Sequence, residues 1–164
     1  VYRIECGTLL DITNRNPQYL GRGQVLRHIG VGEIYAIAGQ SNAAGYGLQN
    51  EIDSKDAPMV GVAMKSDSGW QLASHPIGHM NGEVPCADML SSGHSPWLRF
   101  ARYILDDGVP VGLVPAARNG TSISEWQPGK PLYEYLIKQL SKTCAGHLIW
   151  MQVCRFIFEF SILT

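Results

Sequence analysis

Residues 33–47 of this chain read EIYAIAGQSNAAGYG. After the leading glutamate comes an apolar, partly β-branched run that closes on Gly39. Such a run, with no polar alternation, suits a strand covered on both faces, the habit of parallel sheets flanked by helices. Polar residues then crowd the point where the chain leaves the sheet: Gln40, Ser41 and Asn42, with Gly45 and Gly47 behind them. The pattern predicts a buried strand over 33–39 that hands a serine to a strand-to-helix turn.

The rest of the chain supplies the partners such a strand needs. Short β-like patterns occupy 2–6 and 24–29, separated by the polar loop DITNRNPQ, and 60–65 (VGVAMK) reads as a further strand. Residues 66–95 are rich in Gly, Ser, Pro and His without a sustained period, and read as one long surface loop. Ser95 and Pro96 then offer a cap and a first helical position. Leu98, Ala101, Ile104 and Leu105 form an apolar stripe, and Gly108 stops it. A second helix carries Leu132, Tyr133, Leu136, Ile137 and Leu140 at offsets of three and four. Strands at 109–116 and 147–152 follow the two helices. The order strand, helix, strand, helix, strand predicts a parallel α/β sheet.

With 164 residues, the chain can bury one domain's core. Apolar residues at 45% against 16% charged make it globular rather than disordered. A formal charge of −1 and the lack of any Lys/Arg run give no electrostatic footing for nucleic acid. No apolar run approaches the roughly 20 residues that cross a bilayer, so membrane insertion is not expected. Cys6, Cys86, Cys144 and Cys154 are widely spaced without a CxxC pair, which weakens metal-ribbon and redox readings and leaves their disulfide status open. The chain starts at Val1, so the lack of a leader says nothing about compartment.

In a parallel sheet the functional loops gather at the carboxyl ends of the strands. Ser41, the Asn119-Gly120-Thr121 turn and Gln152 all fall at such ends. A serine there becomes a nucleophile only if a base takes its proton and donors face the developing oxyanion. Its own N–H, the unobstructed N–H of Gly120 and the amide of Gln152 could be those donors. Taken alone, however, a serine after a strand is commonly a helix cap, and Asn-Gly is an ordinary turn dipeptide. The glycines at 39, 45 and 47 fit neither dinucleotide nor phosphate-loop spacing.

Three blocks, VGEIYAIAGQSN (31–42), VPVGLVPAARNGTSISEW (109–126) and LIWMQ (148–152), together resemble the sialate O-acetylesterase-like domain, related to carbohydrate esterase family six within the SGNH-hydrolase superfamily. The resemblance covers roughly 23–152. It implies a three-layer, flavodoxin-like α/β fold, with 1–30 as a lead-in from a preceding β-rich region and 31–152 as a partial domain. It also implies a serine esterase that removes acetyl groups from carbohydrates such as sialic acid or xylan, without metal or other cofactor. Ser41 matches the nucleophile, and Gly120 and Gln152 match oxyanion donors. Gln40, Asn42, Asn119, Thr121, Glu125 and Trp126 become neighbours of the sugar site, Trp126 being equally suited to core or rim packing. Asn119 stands where the family has glycine, a departure that its tolerance of left-handed backbone would absorb. Related domains are frequently exported, so the lean is periplasmic or secreted.

The pattern then breaks. The family continues with Gly-Glu and later an Asp-x-x-His block bearing the base, whereas here Gln152 is followed by VCRFIFEFSILT, and no aspartate has a histidine three residues on. The sheet is therefore expected to be incomplete at the C-terminus. Residues 153–164 form an atypical tail in which Phe156, Phe158 and Phe160 alternate with Arg155 and Glu159, either as a final strand or as an out-of-frame segment. His75, His79 and His94 in the long loop are weak substitutes for the base. With Cys86 and Asp88 between them they also invite a zinc reading, which the loop placement of His75 and His79 disfavours. His28 and His147 read as structural or exposed. The expected activity is impaired ester hydrolysis, with a non-catalytic carbohydrate-binding remnant as the alternative.

Overall fold

A computed structural model describes residues 2–9, 19–47, 60–66, 69–75, 77 and 94–152. His79, Cys86, Asp88, Cys154 and the tail 153–164 lie outside the described residues, as does the side chain of His28.

Strands β1 (Tyr2–Leu9) and β2 (Tyr19–Ile29) pair antiparallel in a two-stranded sheet of their own, running from Tyr2 opposite Ile29 to Leu9 opposite Tyr19. Both are longer than their apolar patterns suggested, because cross-strand hydrogen bonding extends through polar residues that the pattern omits.

The main sheet has five strands: β3 (Glu33–Gly39), β4 (Val62–Ser66), β5 (Gly69–Leu72), β6 (Val111–Pro115) and β7 (His147–Met151), in the order β5-β4-β6-β3-β7. β3 runs parallel to both neighbours, and β4 runs parallel to β6. The expected parallel sheet is thus mostly present, and β5 corrects it. This four-residue strand, inside the segment read as a loop, returns antiparallel along β4. Four residues carry no recognisable period, and β5 exists because β4 offers it an edge to pair with.

Two helices cover the two faces. On one, α1 (Trp97–Asp106) sets Trp97, Leu98 and Ala101 against Ile37, Val62, Val111 and Leu113, with Ile104 and Leu105 at the margin. On the other, α2 (Pro131–Thr143) sets Leu132, Tyr135 and Leu136 against Ala38 and Ala116. Each large aliphatic side chain fully removed from water contributes roughly 1.5–3 kcal/mol. Alternation along β3 sends Ile37 to the α1 face and Ala38 to the α2 face, so one apolar strand serves both layers.

The helix ends and phases differ from expectation in three places. Pro96, not Ser95, is the residue flanking α1. Its carbonyl accepts from Phe100 N at 2.9 Å, and the Ser95 hydroxyl is buried without a hydrogen-bond partner among the described residues. In α2 it is Tyr135 that faces the core, while Ile137 is exposed, because the helix is rotated to aim its phenol-bearing residue at Ala38 and Ala116. α2 ends on Cys144 in the left-handed conformation (φ 54°), where glycine is usual. Gly108 stops α1 as expected, at φ 82°, donating to the Leu105 carbonyl at 2.7 Å.

Candidate active site

β3 lies between β6 and β7, so residues following these three strands share one edge of the sheet. Chain connections leave β3 and β6 in opposite directions, toward β4 and β7. That crossing marks the crevice where open α/β sheets take ligands.

Gly39 closes β3 at φ 121°, and a Cβ there would stand 2.1 Å from the Met151 carbonyl oxygen. Only glycine lets β3 and β7 approach so closely. Three hydrogen bonds then link the strand ends in a ring. The Gln40 amide donates to Met151 O at 3.1 Å, and the Arg118 amide donates to Gly39 O at 2.9 Å. Gln152 Nε2 donates to Thr121 O at 2.9 Å. The ring joins the segments that carry Ser41, Gly120 and Gln152.

Ser41 itself is half-buried and Asn42 exposed, in a single turn over 41–45. The Ala44 amide donates to Gln40 O at 2.9 Å, and the Tyr46 amide to Ser41 O at 3.2 Å. Residues 41–45 form a turn and Gly47 a bridge to His94, so no α-helix begins at the residue after Ser41, which corrects the expected strand-to-helix turn and the helix-cap reading. Packing fixes the turn instead. Ala43 and Ala44 are buried, and Trp97 Nε1 donates to Ala43 O at 2.7 Å. The Gly47 amide donates to His94 O at 2.8 Å.

At the β6 end, Gly120 is exposed at φ 73°, with open space where a side chain would be. Asn119 is half-buried and does not adopt positive φ, so the left-handed position belongs to Gly120, and Asn119 never has to exercise its tolerance. Thr121 is a hub that no spacing in the sequence announces. Its hydroxyl donates to Arg118 O at 2.9 Å and accepts from Trp126 Nε1 at 3.0 Å, while its carbonyl takes the Gln152 amide. Trp126 is only 6% exposed and packs edge-on against Trp150 at 5.1 Å, which makes it core and not a sugar platform. The Glu125 carboxylate accepts from Ser122 N at 2.7 Å and Ser122 Oγ at 3.1 Å, closing a one-turn 3-10 helix over Ile123–Trp126. Gln152 Oε1 is buried and has no hydrogen-bond partner among the described residues.

Of the histidines, His75 and His94 meet edge-to-face at 4.5 Å beyond the Ser41 turn. His147 is exposed at the opposite end of the sheet, where Nε2 lies 2.8 Å from Glu33 and the ring stacks on Tyr35. Cys6 and Cys144 are free thiols. The described residues contain no group of three or more His, Cys, Asp or Glu able to hold a metal, and no described helix is long and apolar enough to cross a membrane.

A family model described as carbohydrate esterase, sialic acid-specific acetylesterase matches residues 31–155. The chain belongs to this carbohydrate esterase family. A protein of Arabidopsis thaliana named probable carbohydrate esterase is 29% identical, over 73% of this chain and 53% of its own length. The solved structure of that plant protein superposes with a TM-score of 0.60 at 27% identity, covering 74% of this chain and 57% of the other. A carbohydrate acetylesterase of Xanthomonas citri shares the fold, with a TM-score of 0.52 at 18% identity, over 84% of this chain and 36% of its own. The chain thus spans about half the length of the curated carbohydrate esterase that it matches.

Proposed function

We propose that the carboxyl edge of β6, β3 and β7 is an acyl-transfer centre acting on O-acetylated carbohydrate. Support comes above all from the hydrogen-bonded ring that ties the segments of Ser41, Gly120 and Gln152 together. In this reading Ser41 Oγ attacks the acetyl carbonyl, and the sugar hydroxyl leaves with a proton. Water then releases acetate from the acetyl-serine. The oxyanion is held by the N–H groups of Ser41 and Gly120 and by the second Nε2 proton of Gln152, whose first proton anchors the side chain on Thr121 O.

Within these 164 residues no aspartate has a histidine three positions on to carry the base, so in this polypeptide taken alone the Ser41 proton passes to solvent and turnover is slow. Loss of a triad base typically removes several orders of magnitude while the oxyanion donors keep a residue of catalysis. The same absence favours a second reading, a carbohydrate-binding domain without chemistry. Hydrolysis of p-nitrophenyl acetate and of acetylated xylan by the wild-type chain and by Ser41→Ala separates them. Slow hydrolysis that disappears in Ser41→Ala supports the esterase, and equal background rates in the two proteins support the binding remnant.

A further inference from the structure

β1 and β2 form a ribbon of two strands, and no described residue of either is buried. Such a ribbon is marginal in water until further strands or a packed face support it. Its two outer edges are not equivalent. Between Tyr2 and Ile4, between Glu5 and Gly7, and between Thr8 and Leu9, β2 advances one residue further than β1. All three bulges therefore lie on β2, where the extra residues break the ladder and protect that edge from pairing. β1 runs without a bulge, so its outer edge keeps an uninterrupted row of backbone donors and acceptors. β2 also gives Leu26, Arg27 and Ile29 to a cleft against the amino-terminal ends of β3 and β6, to which β1 gives none of its described residues. β1 is thus the outer strand of the pair. Regular alternation places Arg3 and Glu5 on one face of it, and Ile4 and Cys6 on the other. Ile4 is 48% exposed and stands opposite Leu26, itself 52% exposed. On the charged face the Glu5 carboxylate accepts from Arg3 and lies 3.7 Å from Arg22 Nε.

We infer that β1 pairs antiparallel with β1 of a second copy of this chain, about a two-fold axis through Ile4. The order Arg-Ile-Glu selects that register. An axis at Ile4 sets Arg3 of each copy opposite Glu5 of the other, and Ile4 opposite Ile4. An axis through Arg3 or Glu5 would set like charges face to face, and one through Tyr2 or Cys6 would leave both charges without a counter-charge. An axis falling between residues would mix the charged face with the apolar one. Because a two-fold contact is met twice, one complementary pair becomes two ion pairs. Residues two apart along a strand are roughly 6.6 Å apart. Directly opposed residues stand about 4.5–5.5 Å apart at Cβ, so the partner across the axis is the nearer one. Leu26 and Ile4 of one copy then continue into Ile4 and Leu26 of the other, as one apolar row across a four-stranded sheet. A contact over residues 2–6 is small beside the roughly 1,200–2,000 Å² of stable interfaces, so the dimer is reversible. The inference does not depend on the ester chemistry.

Sedimentation velocity of the full chain over a wide range of protein concentration tests the dimer. The wild-type chain is expected to pass from monomer to dimer and no further. Arg3→Glu and Glu5→Arg each set like charges opposite one another and are expected to weaken dimerisation about tenfold or more. Mixed in equal amounts, these two variants again oppose unlike charges and are expected to associate as a heterodimer. Ile4→Lys brings two ammonium groups together at the axis and is a separate route to the monomer. Thermal melting of each variant checks that the fold is intact. A wild-type chain that stays monomeric throughout would overturn the inference, as would equal dimerisation of the wild type and all three variants. Folded charge-reversal variants that fail to associate when mixed would overturn it too. A dimer lost in Leu148→Lys but kept in Arg3→Glu would move the contact to β7 and exclude β1.

Discussion

Trp97 on α1 reaches back 54 positions in sequence to donate its indole N–H to the carbonyl of Ala43, two residues after Ser41. The bond is buried, and the ring also packs edge-on toward Phe100. A helix on one face of the sheet therefore holds the turn that would otherwise be free to adopt other shapes. Trp97→Phe keeps most of the ring and deletes the donor, leaving the Ala43 carbonyl without it. A loss of about 1–3 kcal/mol is expected, read from the urea midpoint at unchanged slope.

The approach of β3 to β7 depends on Gly39. Gly39→Ala places a methyl group against the Met151 carbonyl and forces a side chain into positive φ. Overpacking and backbone strain together should cost on the order of 3 kcal/mol or more. Equilibrium unfolding checks this, and a variant as stable as the wild type would contradict the geometry.

Gln152 has one amide proton engaged with Thr121 O. If the other faces the oxyanion, Gln152→Ala should lower kcat for p-nitrophenyl acetate about 10²–10³-fold, the usual cost of one such donor. Far-ultraviolet circular dichroism should stay unchanged.

Among the described residues β7 forms an outer edge of the sheet, and Leu148 on it is 48% exposed with no charged neighbour within the strand. Such edges invite pairing with another chain, and a lysine discourages it. Leu148→Lys should reduce light scattering at high protein concentration while changing stability by no more than about 0.5 kcal/mol, as is usual for surface positions.

What the sequence disclosed, and what it withheld, follows from how far each interaction reaches. β3 was legible because its apolar run and closing glycine are local facts, and both helices because their stripes and stops are. β5 was not, since a four-residue strand is made by the neighbour it pairs with. The turn after Ser41 differs from the expected helix start for the same reason: its shape is decided by Trp97 and His94, far along the chain. The resemblance sets Thr121 beside the substrate, but the bonds of its hydroxyl to Arg118 and Trp126 follow from no spacing rule. The exchange of Ile137 for Tyr135 as the buried residue in α2 reflects offsets of three and four that leave open which side of the Leu132, Leu136 and Leu140 stripe faces the core.

Two of the three bonds in the ring at the carboxyl edge run between main-chain atoms, and only the third uses a side chain. Main-chain bonds tolerate a change of residue provided the small Gly39 is kept. A lineage could therefore exchange or discard the reactive groups at this mouth while its outline persisted. In such a protein the shape of the opening is inherited separately from the reaction performed in it.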